Sequence, residues 1–130
     1  MIKKNNRLAK NNDFDRIFKT GRSAYSQILG VKAAPNNLSF NRYGFLVGIK
    51  VSKKAVERNK VKRRLKAIVS KEEPNLVTGW DFVFISFPLI LAKNYEEIKK
   101  TATSLLKRIK AYEYTSLRLV STSEDGSRSY

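Results

Sequence analysis

Tyr43-Gly44-Phe45-Leu46-Val47-Gly48-Ile49-Lys50-Val51 is followed almost at once by Lys53-Lys54-Ala55-Val56-Glu57-Arg58-Asn59-Lys60-Val61-Lys62-Arg63-Arg64-Leu65-Lys66, and the change of period between the two runs decides the fold. In the first run Phe45, Val47, Ile49 and Val51 fall on one face of an extended chain and Leu46, Gly48 and Lys50 on the other, the two-residue period of a strand. In the second, at about 100° per residue, Val61, Leu65, Ile68 and Val69 gather on one side, the period of a helix. Glu72-Glu73-Pro74 ends that helix, because the residue before a proline leaves the helical region.

Working outward, Tyr25 to Ala34 also alternates: Leu29, Val31 and Ala33 point one way, Ile28, Gly30 and Lys32 the other. Pro35-Asn36-Asn37 then opens a loop, which predicts a hairpin with Tyr43–Val51. Before these strands, Asn11 and Asn12 are N-cap candidates, Phe14, Ile17 and Phe18 have helical spacing, and Gly21 is a stop, so a short helix is expected over about Asp13 to Lys19. Beyond the basic run, Trp80 to Phe87 is apolar with almost no interruption and should be a central strand buried on both faces. Asn94 and Glu97 have capping-box spacing, and Ile98, Ala102, Leu105, Leu106 and Ile109 mark the stripe of a last helix. Leu117 and Leu119 allow a short extra strand, and Ser121 to Tyr130 is Ser-rich and polar. The order αββαβα predicts an α/β (α+β) two-layer sandwich with a mixed sheet. One domain is expected over 1–112, with a flexible tail over 113–130.

Charge sets the function class. The chain has 130 residues, 27 Lys and Arg against 11 Asp and Glu, a net charge of +16 and a pI near 10.3. So basic a domain repels itself unless an anion is nearby, and the ordinary partner is a nucleic acid. There is no cysteine and no histidine, which removes disulfides, thiolate metal sites, zinc fingers and His-dependent triads. The longest apolar run, Phe82 to Leu91, is too short to span a bilayer and is broken by Ser86 and Pro88. The first ten residues lack the apolar core of a signal peptide. A cytoplasmic protein with no membrane partner is the expectation.

Two features bear on binding. In the basic helix Arg58, Lys62 and Lys66 run along one edge of the apolar stripe, Lys60 and Arg64 along the other, and Asn59 and Arg63 point away. A solvated helix face normally mixes signs for i,i+4 pairing; here Glu57 is the single acid, which favours a polyanion partner over a plain solvated face. Phe14 and Phe18, four apart, share a face of a helix too short to stand alone. Ile17 is placed to dock it. Both rings are either core or, ringed by Arg16, Lys19 and Arg22, a platform for unpaired bases.

The acids argue against nuclease chemistry in this chain. Asp13 and Asp15 sit at a helix start, Glu72-Glu73 at a helix end, Asp81 opens a strand and Glu96-Glu97 open the last helix. Nothing in their spacing brings them together, as a two-metal site requires.

Arg7-Leu8 through Asn12-Asp13-Phe14-Asp15-Arg16-Ile17-Phe18-Lys19-Thr20-Gly21-Arg22-Ser23 resembles the N-terminal signature of the bacterial ribonuclease P protein family. Ser52-Lys53-Lys54, with Arg58-Asn59-Lys60-Val61-Lys62-Arg63, resembles its central basic motif. Gly79 to Ile85 and Tyr95 to Ile98 are similar to its third strand and last helix start. The resemblance implies a left-handed crossover between parallel strands, against the usual right hand. It also implies a subunit that binds a catalytic RNA and the 5′ leader of precursor tRNA, with Mg²⁺ held mainly by RNA. On that resemblance Lys53, Lys54, Arg58, Asn59, Lys60, Lys62, Arg63, Arg64 and Lys66 are expected RNA-binding residues, and Phe14, Phe18 and Lys32 are expected to line a leader cleft.

Two departures stand out. Only Ala55-Val56-Glu57 separate the Lys-Lys and Arg-Asn pairs, where the family has a longer Gly-containing stretch. Lys32 stands where the family often has an aromatic, and Tyr25, of opposite strand parity, is a poor substitute for it; Lys32 is expected to meet a leader phosphate instead of stacking a base. The rival readings are a ribosomal-type or RNA-chaperoning protein, which needs no leader cleft, and a DNA-binding regulator, for which base-reading residues and a dimer surface are not evident.

Overall fold

The computed structural model describes residues 11–112. The expected tail over 113–130, with the strand considered at Leu117 and Leu119, lies outside the described residues.

Trp80–Ser86, here β4, organises the sheet. Phe82, Val83 and Phe84 are all fully buried, and a strand apolar on both faces has to be internal. Leu29–Pro35 (β2) pairs with it antiparallel and Arg42–Leu46 (β3) pairs with it parallel. Arg22–Tyr25 (β1) lies outside β2, so the order is β1-β2-β4-β3. The predicted hairpin between Tyr25–Ala34 and Tyr43–Val51 does not form, because β4 enters between β2 and β3 and satisfies both. Ala55–Glu72 (α2) is the crossover that a parallel β3–β4 pair requires.

Tyr25–Ala34 is not one strand. Ser26 Oγ accepts from the backbone N–H of Ile28 and Leu29 at 3.2 and 3.0 Å, and Ser26 N–H donates to the Leu29 carbonyl at 2.8 Å. This turn folds β1 back onto β2 and adds a fourth strand to the expected three. The strand predicted to reach Val51 stops at Leu46. A turn closed by Val51 N–H to Gly48 O leaves Ile49 exposed, while Val47 and Val51 still reach the core.

The two faces of the sheet carry different loads. On one, Leu29, Val31, Ala33, Tyr43, Phe82 and Phe84 pack against Val61, Leu65, Ile68 and Val69 of α2 and Ile98, Ala102, Leu105 and Leu106 of Tyr95–Arg108 (α3). Tyr43 stacks on Phe82 and Phe45 on Phe84, with ring centroids 5.7 and 5.5 Å apart. The capping box of α3 forms as predicted: Glu97 N–H donates to Asn94 Oδ1 and Asn94 N–H to Glu97 Oε1. On the other face, among the described residues, lies Asn11–Thr20 (α1), held through Ile17 against Ala34 and Val83.

α1 is too short to persist without docking, and a buried charge helps to hold it. Asp81 is 0% exposed. Its carboxylate accepts from Arg16 of α1, from Arg42 Nε and Nη2 of β3 at 2.9 and 2.7 Å, and from Asn36 Nδ2 at 2.8 Å. Arg16 also donates to the Pro35 carbonyl at 2.7 Å. At the far end of α2, Tyr43 and Tyr112 donate to Glu73 and Glu72 at 3.0 and 2.7 Å. Burial, aided by these carboxylates, pushes both hydroxyls well above the ordinary value of 10.0.

Asp81→Ala strands two guanidinium groups and should cost about 3–5 kcal/mol in denaturant unfolding. The lower end is expected, because the Arg16 side chain is 35% solvent-exposed. A loss below about 1 kcal/mol, the scale of a surface pair, would contradict the anchoring role. The tyrosines predict an alkaline limit. With folded-state values raised, their contribution is complete below pH 10 and falls at higher pH, as the unfolded chain ionises first. A Tyr43→Phe, Tyr112→Phe double variant should show a shallower decline of unfolding free energy above pH 10 than the wild type.

Candidate RNA interface

Two surfaces emerge on opposite faces of the sheet. The first is the region where α1 crosses the strands. Ile17 takes the buried position, so Phe14 is left half-buried and Phe18 is 42% exposed, with ring centroids 6.5 Å apart. Close approach at the end of α1 depends on Gly21: a Cβ there would stand 2.5 Å from the Ala33 carbonyl oxygen and 2.7 Å from that of Ile17. Backbone atoms cannot yield at that distance, so a larger residue would lift α1 from the sheet.

On this face of the sheet, Lys32 Nζ stands 5.7 Å from the Phe18 ring and 5.8 Å from the Tyr25 ring. Strand parity alone sets Tyr25 aside, and the structure corrects this. Parity holds along one continuous strand, but the Ser26 turn resets the alternation, and the register places Tyr25 opposite Gly30 and Ser23 opposite Lys32. Tyr25 therefore shares the face of Lys32. Its ring lies over Gly30, where a Cβ would come within 2.5 Å of it, and its centroid is 6.4 Å from that of Phe87. Tyr25 is 44% exposed. The signal that could have found it is Ser26 as a turn-former inside an apparent strand.

The cations expected around the two phenylalanines behave differently. Arg16 is engaged by Asp81 and the Pro35 carbonyl. Arg22 lies on the other face: its guanidinium covers Trp80 at 4.9 Å and donates to the Ile109 carbonyl at 3.0 Å, at the C-terminal end of α3. Lys19 is exposed. Among the described residues, Lys32 is the cation that lies close to both the Phe18 and Tyr25 rings.

The second surface is α2 and its approach. Lys53 and Lys54 precede the helix, with Lys54 as N-cap, and both are exposed. Asn59, Lys60 and Arg63 are exposed, and Lys62 and Lys66 half-buried along one edge. Two arginines serve the fold as well: Arg58 Nη1 donates to the Ser52 carbonyl at 3.0 Å and Arg64 Nη1 to the Lys93 carbonyl at 3.1 Å. Among the described residues, no carboxylate pairs with Lys53, Lys54, Lys60, Lys62, Arg63 or Lys66. The single acid, Glu57, is turned to Ser52 instead. The helix therefore presents uncompensated positive charge.

The acids do not converge. Asp81, Glu57, Glu72, Glu73 and Glu97 are each engaged by a named partner. Among the described residues no group of three or more acids could hold a metal ion, and no helix is long and apolar enough to cross a membrane.

Comparison with known proteins agrees with this geometry. The ribonuclease P family model matches residues 2–110. The ribonuclease P protein component of Alkaliphilus metalliredigens is 36% identical over 109 residues, covering 84% of this chain and 97% of that one. The structure of the Staphylococcus aureus RNase P protein superposes with a TM-score of 0.77 at 27% identity, over 83% of this chain and 98% of that one. The Thermotoga maritima RNase P protein gives 0.72 at 29% identity, over 81% and 98%. With its mixed sheet, its unpaired basic helix and a match along most of its length, the chain belongs to the ribonuclease P protein family.

Proposed function

We propose that this chain is the protein subunit of a ribonuclease P holoenzyme that binds the catalytic RNA through α2 and the 5′ leader of precursor tRNA through the α1 cleft. The observation that carries the reading is the separation of the two surfaces on opposite faces of one sheet. A plain counter-ion surface needs one basic face; a protein that grips an RNA subunit while guiding a second RNA needs two.

On α2, Lys53, Lys54, Arg58, Asn59, Lys60, Lys62, Arg63, Arg64 and Lys66 are the proposed contacts to the RNA subunit, chiefly to its phosphates. Phosphate contacts fix register without reading sequence. In the cleft, the exposed faces of Phe18 and Tyr25, with Phe14 beside them, are proposed to stack unpaired bases. Stacking tolerates any base, as an enzyme with many leaders requires. Lys32, between the rings, is proposed to meet a leader phosphate.

Hydrolysis is assigned to the RNA partner. The chain has no histidine or cysteine, and among the described residues no three acids gather where a catalytic pair of divalent ions would need them. Mg²⁺ is proposed to sit mainly on RNA, where it would supply an activated water and charge stabilisation for the leaving oxygen. This chain contributes charge neutralisation and positioning.

Three outcomes are expected. Phe18→Ala and Tyr25→Ala, both at exposed positions, should leave the protein folded and weaken holoenzyme binding of precursor tRNA by about 1–3 kcal/mol each, with mature tRNA unaffected. Equal binding of both tRNAs by folded variants would remove the leader cleft and favour a ribosomal-type role. Ile17→Ala, by contrast, should destabilise the fold by about 2–5 kcal/mol. Arg63→Ala should flatten the log–log salt dependence of RNA-subunit binding by ~0.7–0.9 for each phosphate it no longer neutralises; an unchanged slope and affinity would move that interface elsewhere.

A further inference from the structure

We propose that Glu57 and Ser52 are positioning residues for RNA binding, a hydrogen-bonded clasp that sets Lys53, Lys54 and Arg58 at the entrance of α2. The proposal rests on the reading of α2 as the RNA-subunit surface and adds to it the residues that shape that surface.

Glu57 is the single acid between Lys53 and Lys71. On a surface facing a polyanion a carboxylate repels the ligand, so its presence there calls for a compensating task. The N-cap of α2 leaves room for one: Lys54 makes no side-chain capping bond. Glu57, three residues on, is where a capping box would place its acid, but it reaches past Lys54 to Ser52. Ser52 Oγ donates to Glu57 Oε1 and accepts from Lys54 N–H at 3.1 Å. Arg58 Nη1 donates to the Ser52 carbonyl at 3.0 Å, and the N–H groups of Glu57 and Arg58 both reach the Lys54 carbonyl at 3.1 Å.

One serine thus gathers the backbone of Lys54 and the side chains of Glu57 and Arg58. Val51, next to it, is buried in the core, so the clasp ties the turn to the body of the protein. The segment between the Lys-Lys pair and the basic motif is short, and a short turn held at both ends has little freedom left. Without the clasp, Lys53 and Lys54 would have to be ordered at the moment of binding, at a cost in conformational entropy.

The test exploits charge. Glu57→Ala and Glu57→Gln remove the same negative charge, so simple electrostatics predicts an equal gain in affinity for RNA. The clasp predicts otherwise, because Gln keeps an acceptor for Ser52 Oγ and Ala does not. With the full chain and a bacterial ribonuclease P RNA, Glu57→Gln should bind at least as tightly as the wild type. Glu57→Ala should bind roughly 3- to 10-fold more weakly than Glu57→Gln, the scale of one hydrogen bond's net contribution. Its salt dependence should be shallower by ~0.7–0.9 for each phosphate left without its cation, which reduced fold stability alone would not produce. Ser52→Ala, which loses the clasp but keeps the Glu57 charge, should bind no more tightly than Glu57→Ala, and the double variant should match Glu57→Ala. Equal affinities for the Ala and Gln variants, or equal salt slopes, overturn the clasp. Arg63→Ala in the same assay separates the two readings. If it weakens binding while the Glu57 variants coincide, only the clasp fails; if it does not, the α2 surface fails and the clasp with it.

Discussion

Asp81 lies at the start of the central strand, sealed from solvent, and its carboxylate is gripped from three directions. Arg42 comes from the parallel neighbour, Asn36 from the loop after β2, and Arg16 from α1. An uncompensated carboxylate at that depth would be costly to desolvate, by several kcal/mol. The chain meets this constraint by bringing separate elements together. The consequence for function is geometric. Ile17 and the Arg16–Asp81 pair fix where α1 crosses the sheet. That crossing sets the distance from Phe18 to Lys32.

The same division of labour runs through the cations. A chain with this excess of positive charge needs some of it for its own architecture. Arg16 and Arg42 neutralise Asp81, Arg22 covers Trp80 and meets the end of α3, and Arg58 and Arg64 bind carbonyls beside α2. These are arginines, whose planar fork suits fixed multi-point bonding. The lysines of α2 and its approach, with Arg63, carry no such ties. They form the unpaired charge that a polyphosphate can displace counter-ions to reach.

Much of this was readable in residue order because it depends on local period and local chemistry. The stripe Val61, Leu65, Ile68, Val69 sets the buried side of α2. Asn94 and Glu97 announce their capping box, and Trp80–Ser86 declares itself internal by its near-lack of polar residues. What escaped is long-range or hinges on one turn. Alternation gives a strand its faces but not its neighbours, so the entry of β4 between β2 and β3 was not visible. A single hydroxyl, Ser26, converts a strand into a hairpin and moves Tyr25 to the face of Lys32, where parity along a continuous strand would not put it. Arg16 and Arg22 read as a basic ring around the phenylalanines because their partners, Asp81, Trp80 and Ile109, are distant in sequence. The motif resemblance supplied Phe14, Phe18 and Lys32 together. The floor between them had to come from the three-dimensional arrangement.

The central claim is that this chain acts by serving a catalytic RNA, and one measurement addresses it most directly. The purified protein is mixed with a bacterial ribonuclease P RNA and a precursor tRNA at a Mg²⁺ concentration too low for the RNA to act alone, and cleavage at the mature 5′ end is followed. The account predicts that cleavage is restored by the complete mixture and is absent when the protein is incubated with the precursor and no RNA subunit. Cleavage at that position by the protein alone, or no rescue of an RNA subunit that it demonstrably binds, would contradict it.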